Sequence, residues 1–263
     1  MSHTDPRANG VNVNRIFTWA FVCLFAFLYS CPGFAEISLN KTRLIITEAE
    51  KEGNLRILNE GKTPVLIQVW VDQGNASEAP EKIKVPFVVT SPMFRLDSGT
   101  AQRIRILFTG DSSSLSGTSE SVFWLNIQEI PSKTLRDEDG NKIQIAFRTR
   151  IKVFYRPKPI PAQTDDFHRS IRFRLTSEGA ESQLWAENPS PIHVTLLHLS
   201  LIGEQGEVLA PRIALEQGMV TPEGSLQIPL GNLSEKAKNS LAIVFTYLND
   251  FGDPEKMQFT LPQ

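Results

Sequence analysis

Ile143-Gln144-Ile145-Ala146-Phe147-Arg148-Thr149-Arg150-Ile151-Lys152-Val153-Phe154-Tyr155-Arg156-Pro157-Lys158-Pro159-Ile160-Pro161 decides the fold class. Its opening alternates, with Ile143, Ile145 and Phe147 at every second position, the period of a half-buried strand. Its middle, Ile151-Lys152-Val153-Phe154-Tyr155, is strongly apolar around a single lysine. Its end places prolines at 157, 159 and 161. Proline has no amide donor and is excluded from central strands, so this run predicts a stiff extended connector between two domains.

The same texture extends to both sides. Val65, Ile67, Val69 and Val71 alternate, as do Ile104, Ile106 and Phe108. Turn signals such as Glu52-Gly53-Asn54, Asn59-Glu60-Gly61, Ser98-Gly99 and Asp139-Gly140-Asn141 break the runs. Alternation resumes near Ile171 and continues to the end, and only residues 234–240 suggest a short helical turn. Short alternating strands between turns are the texture of β-sandwiches. The expected organisation is all-β, with domains at residues 36–157 and 162–263 joined by a proline-rich hinge at 158–161.

Composition narrows the function. The chain has 263 residues, a net charge of −2, 41% hydrophobic and 21% charged residues, as in soluble globular proteins. Non-specific nucleic-acid binding needs many uncompensated cations, which this balance does not supply. At the N-terminus, Arg7 and Arg15 precede an apolar run at residues 16–29, and Gly33 and Ala35 offer a peptidase site before Glu36. Residues 1–35 are read as an export signal, preceded by an unusually long segment at 1–14. An uncleaved anchor and lipoprotein processing at Cys31 are the alternatives. Cys23 and Cys31 both lie before the cleavage point, so the mature chain has no thiol and carries 25 basic against 28 acidic residues, a balance of −3. Its stability must then come from hydrophobic cores of ordinary domain size.

No constellation for catalysis is visible. The histidines beyond His3 are His168, His193 and His198. His193 and His198 lack metal-site spacing and read as strand-surface residues. Asp137-Glu138-Asp139 reads as a solvated loop, and no nucleophile elbow, phosphate loop or dinucleotide fingerprint appears. The expectation is a non-enzyme without metal or cofactor. Arg43, within Ile37-Ser38-Leu39-Asn40-Lys41-Thr42-Arg43-Leu44-Ile45-Ile46, and Lys152 are charges among large apolar neighbours. Such a charge either snorkels to the rim or is held for an anionic ligand, and pattern alone favours the rim. Pattern alone also favours inward packing for Ile143, Ile145 and Phe147.

Six segments together resemble the periplasmic fimbrial chaperones of the chaperone–usher pathway. They are Thr42-Arg43, the run from Pro86 through Ser91-Pro92-Met93-Phe94-Arg95-Leu96, and Glu120-Ser121-Val122-Phe123-Trp124-Leu125-Asn126 continuing to Pro131. The others are Ile151-Lys152-Val153-Phe154-Tyr155-Arg156-Pro157, Asn188-Pro189-Ser190-Pro191 and Asn249-Asp250-Phe251-Gly252. Their order around a proline hinge matches the family. The resemblance implies two immunoglobulin-like sandwiches set at an angle. It also implies a periplasmic chaperone that completes fimbrial subunits by lending them a strand and delivers them to an outer-membrane usher. No nucleic acid or small-molecule substrate is implied, and weak self-association of the free chain is expected from an exposed apolar edge.

By the same resemblance, Ile143, Ile145 and Phe147 form the donor strand. Their burial in a subunit contributes roughly 5–9 kcal/mol before ordering costs. Arg43 and Lys152 bind the subunit's C-terminal carboxylate. Glu120, Arg156 and Asp250 form an ion-pair network between the domains, where pattern alone sees three surface charges. Strict alternation places Lys152 on the face opposite the donor residues, so a twist or bulge between them is expected. Ser91 replaces the first proline of a pair common in the family. The segment between Pro131 and Ile143 resembles the branch with shorter loops.

Overall fold

The computed structural model describes residues 37–131, 145–161, 164–178, 181–203, 207–233 and 242–261. The export segment with Cys23 and Cys31, the donor position Ile143, the acidic run at 137–139 and the turn at 234–240 lie outside them. Among the described residues no helix is long and apolar enough to cross a membrane.

Strands dominate the described chain, with very little helix. The first sandwich has one sheet of β1 (Ile37–Leu39), β3 (Glu52–Asn59), β7 (Ala101–Phe108) and β5 (Phe87–Val89), in that spatial order. Against it lies a sheet ordered β2 (Arg43–Thr47), β9 (Arg148–Arg156), β8 (Ser121–Pro131), β4 (Val65–Asp72), β6 (Met93–Leu96). Alternation does the sorting. Leu55 and Ile57 on β3 and Ile104 and Ile106 on β7 point inward, while Asn54, Arg56, Arg103 and Arg105 between them are exposed. Val65, Ile67, Val69, Phe123, Leu125, Ile127, Val153 and Tyr155 close the core from the other sheet.

The second sandwich sets β10 (Arg172–Glu178), β11 (Glu181–Glu187) and β15 (Ser225–Gly231) against β13 (Val208–Ala214), β12 (Val194–Ile202), β16 (Ala242–Leu248) and β17 (Pro254–Thr260). The short β14 (Met219–Val220) also pairs with β12. This domain has its own core, in which Phe173 packs against Phe245 and Phe259 at centroid distances of 5.0 and 5.7 Å.

Between the sandwiches the proline run is a turn, not the extended rod that its composition predicts. The Ile160 amide donates to the Pro157 carbonyl at 3.1 Å, and the Ile160 side chain packs into the second core. That apolar contact and the closed turn outweigh the extended preference of proline-rich chain. One helical turn, α1 (Asp165–Arg169), follows and was not legible in the sequence pattern.

Candidate functional site

β9 has two halves with different surroundings. From Val153 to Arg156 both faces are buried, because the second domain packs on the face away from the core. There the parallel partner β2 covers one edge, with Arg43 opposite Lys152 and Thr47 opposite Arg156. Before Lys152 that edge has no strand partner among the described residues, while β8 continues along the other edge to Arg148. The Glu129 amide then donates to the Phe147 carbonyl at 2.8 Å, so the extended path continues past the end of the strand.

Along this path Ile145 and Phe147 are 62% and 61% exposed. Inward packing, which pattern alone favours for them, does not occur: they lie beyond the end of the core that encloses Ile151 and Val153. Nor does the expected bulge occur within the described strand. The β8–β9 ladder keeps one register from Arg148 to Tyr155. Lys152 therefore lies on the face opposite Ile151 by ordinary alternation. The two predicted roles use two faces of one regular strand, and nothing has to reconcile them.

Arg43 and Lys152 meet across the parallel pair. Arg43 is buried, with its guanidinium 5.7 Å from the Phe154 ring centroid and, among the described residues, only a long 3.5 Å bond to the Leu248 carbonyl. Its Nε has no hydrogen-bond partner among the described residues. Burial pulls its pKa down, opposed by Asp250 and Glu120. Lys152 donates to Thr195 Oγ1 at 3.4 Å. Burial first, and Arg43 second, push its pKa down to about 8. Among the described residues neither cation is within ion-pair distance of a carboxylate. Two partly desolvated cations with spare donors make a site for an anion.

Beside them the domains are joined through Arg156. Its Nε donates to Glu120 Oε2 at 2.7 Å, and its two terminal nitrogens donate to Asp250 at 2.6 Å each. Burial opposes the charged guanidinium, but bonds to Asp250 and the field of Glu120 outweigh it and raise its pKa. Burial likewise opposes the Asp250 carboxylate, yet Arg156, His168 and Thr164 hold it well below the usual range. Three members of this cluster escaped the sequence reading. Thr164 Oγ1 donates to Asp250 at 2.6 Å, and His168 Nε2 lies 3.0 Å from it. His193 gives Glu120 its backbone amide at 3.0 Å, with Nδ1 also at 3.0 Å. His193 is therefore buried between domains and not on a strand surface, because Glu120 supplies the partner that lets its polar ring leave water. His198, on β12, is half-buried beside Arg212 and Thr246.

Residues 36–161 match the family described as pili and flagellar-assembly chaperone, PapD N-terminal domain, and residues 166–259 match pili assembly chaperone PapD, C-terminal domain. The chain belongs to the pili-assembly chaperone family. Among relatives of these chaperones, the probable fimbrial chaperone YadV of Escherichia coli (strain K12) is 32% identical over 92% of this chain and 95% of that protein. The chaperone protein FimB/FhaD of Bordetella pertussis is 33% identical over 83% of this chain and 85% of its own. The crystal structure of the YadV chaperone superimposes with a TM-score of 0.68 at 30% identity, covering 86% of this chain and all of that one.

Proposed function

We propose that this pili-assembly chaperone holds fimbrial subunits in the periplasm by donor-strand complementation and hands them to an outer-membrane usher. One observation carries the reading. The parallel pairing of β2 with β9 stops at Arg43 and Lys152, and where it stops an open strand edge with exposed Ile145 and Phe147 begins. A subunit strand ending in its carboxylate at the two cations would run beside β9 in the same direction, in line with β2. Its main chain gains ladder bonds along the edge, and its open core receives Phe147, Ile145 and, one repeat further, Ile143. The carboxylate supplies the negative charge that Arg43 and Lys152 lack, and so sets the register.

On this reading residues 1–35 are removed on export, residues 36–157 carry the subunit, 158–161 form the hinge, and 162–263 complete the cleft. Glu120, Arg156 and Asp250 hold the interdomain geometry. The chain acts by binding, with no reaction of its own, and its open edge favours weak self-association when free.

The test is co-purification from periplasmic extract with a co-expressed fimbrial subunit. Wild type is expected to retain the subunit; Arg43→Ala, Lys152→Ala and the double variant Ile145→Asp/Phe147→Asp are expected to lose it. Equal retention by all of them, each folded, would overturn the reading.

A further inference from the structure

Arg43 and Lys152 belong to a longer row. Lys152 on β9 stands opposite Trp124 on β8, and Trp124 stands opposite Asp72 on β4. Arg43, Lys152, Trp124 and Asp72 thus form one cross-strand row over four neighbouring strands, on the face turned away from the core. Neighbours in such a row are the closest side-chain pairs a sheet offers. The Lys152 ammonium lies 5.6 Å from the Trp124 ring centroid, within the range where a ring face attracts a cation.

The indole is itself held. The Arg150 guanidinium lies 4.7 Å from the Trp124 centroid and is fixed by a 2.6 Å bond to Asp72. Asp72 is buried and also receives the Asn126 side-chain amide at 2.7 Å and the Gly74 backbone amide at 2.6 Å. Those bonds tie Asp72 to Arg150, Asn126 and Gly74, and no ion pair joins it to Lys152 among the described residues. The groups facing Lys152 are then Arg43 from β2, Arg150 from its own strand, Trp124 from β8 and Thr195 from β12. Asp250 and Glu120, the acids whose field reaches Arg43, are engaged by Arg156. Burial and Arg43 push a cation in this setting toward losing its proton, and the Trp124 ring face, which favours the charged form, is its direct neighbour in the row.

We propose that Trp124 is the positioning residue of the carboxylate anchor. Braced by Arg150 on Asp72, it keeps the Lys152 ammonium charged and directed along the row toward Arg43. The inference rests on the anchor role given to Lys152 above, and deepens it by naming what holds that lysine ready.

The experiment follows the Lys152 titration by carbon-detected NMR in the full chain, with Lys152→Met to assign the signal. Wild type is expected to turn over near pH 8. Trp124→Leu should lower the midpoint by about half a unit, roughly a threefold loss of preference for the charged form. Trp124→Phe, which keeps a ring face, should stay near wild type. A packing role alone would raise the Leu midpoint, because a smaller side chain relieves the burial that depresses it. A folded Trp124→Leu chain that titrates like wild type or higher, or a Phe variant that falls as far as Leu, overturns the proposal. A second arm measures capture of an alternating Val-Thr decapeptide with a free C-terminus against its C-terminal amide. If wild type does not distinguish the two, the carboxylate anchor itself falls, while the titration still judges Trp124.

Discussion

Replacing Arg156 by leucine removes the centre of the interdomain cluster and leaves its two carboxylates in place. Arg156 makes three short charge-assisted bonds, at 2.7, 2.6 and 2.6 Å. Its side chain is 3% exposed and that of Glu120 is 1% exposed, so water cannot readily replace the guanidinium. Removing one partner of such a pair costs about 3–5 kcal/mol, most of it the penalty of the stranded charge. The lower end applies here, because Glu120 keeps His193 and Asp250 keeps Thr164 and His168. Glu120 and Arg156 come from the first sandwich and the other partners from the second, so the loss falls on docking of the domains. Urea unfolding followed by tryptophan emission separates the two, since Trp70 and Trp124 lie in the first domain and Trp185 in the second. The expected result is a lower midpoint, with the domains unfolding in separate steps. Arg156→Lys should fall between, as one ammonium cannot form the two-pronged contact with Asp250 and reach Glu120 as well. A loss below about 1 kcal/mol for the leucine variant would refute the reasoning and place domain docking elsewhere.

Lys152→Met should stabilise the chain at pH 7 while abolishing subunit capture. Folding lowers the Lys152 pKa from its ordinary 10.5 to about 8. The unfolded chain therefore binds more protons between those values, and wild-type stability rises with pH across that window. Thermal melts should show the advantage of the methionine variant shrinking from pH 8 to 10.5; a constant gap would contradict the assignment. Tyr155→Phe should be neutral or stabilising by up to about 1–2 kcal/mol, because the Tyr155 hydroxyl is buried without a hydrogen-bond partner among the described residues. Destabilisation beyond about 1 kcal/mol in chemical denaturation would reveal a partner for it. Asn188→Ala should cost about 2–4 kcal/mol, since Asn188 donates to the Ile192 and Thr221 carbonyls and accepts from the Ser190 amide and hydroxyl. Denaturation curves that coincide with wild type would show that water takes over these bonds.

Strand content was legible because alternation is a local signal, and the alternating Val65, Ile67, Val69, Ile104 and Ile106 are all buried in the core. Two features misled. The proline run predicted a rod, yet the turn is decided by where Ile160 can bury itself, which no local window contains. Ile145 and Phe147 carry the same pattern as an inward-facing strand, and only the end of the core shows that nothing covers them. The odd charges Arg43 and Lys152 stood out in apolar runs, but their adjacency depends on a parallel pairing between segments over a hundred residues apart. His168 and His193 left no trace at all. Their partners are Asp250 and Glu120, each more than seventy residues away, and isolated histidines outside a metal spacing carry no pattern.

The register of β9 also fixes a length. At about 3.3 Å per residue, Phe147 lies roughly 16 Å and Ile145 roughly 23 Å along the strand from Lys152. On the proposed reading, a client's last atom is tied at Lys152, and the donor side chains wait at set intervals from it. One residue added to the client's C-terminus would turn every groove position to the wrong face. Two would restore the face but offset each pocket by a full repeat. Clients of widely different composition would then be accepted as long as they count the same number of residues from groove to terminus. On that reading the chaperone works as a ruler.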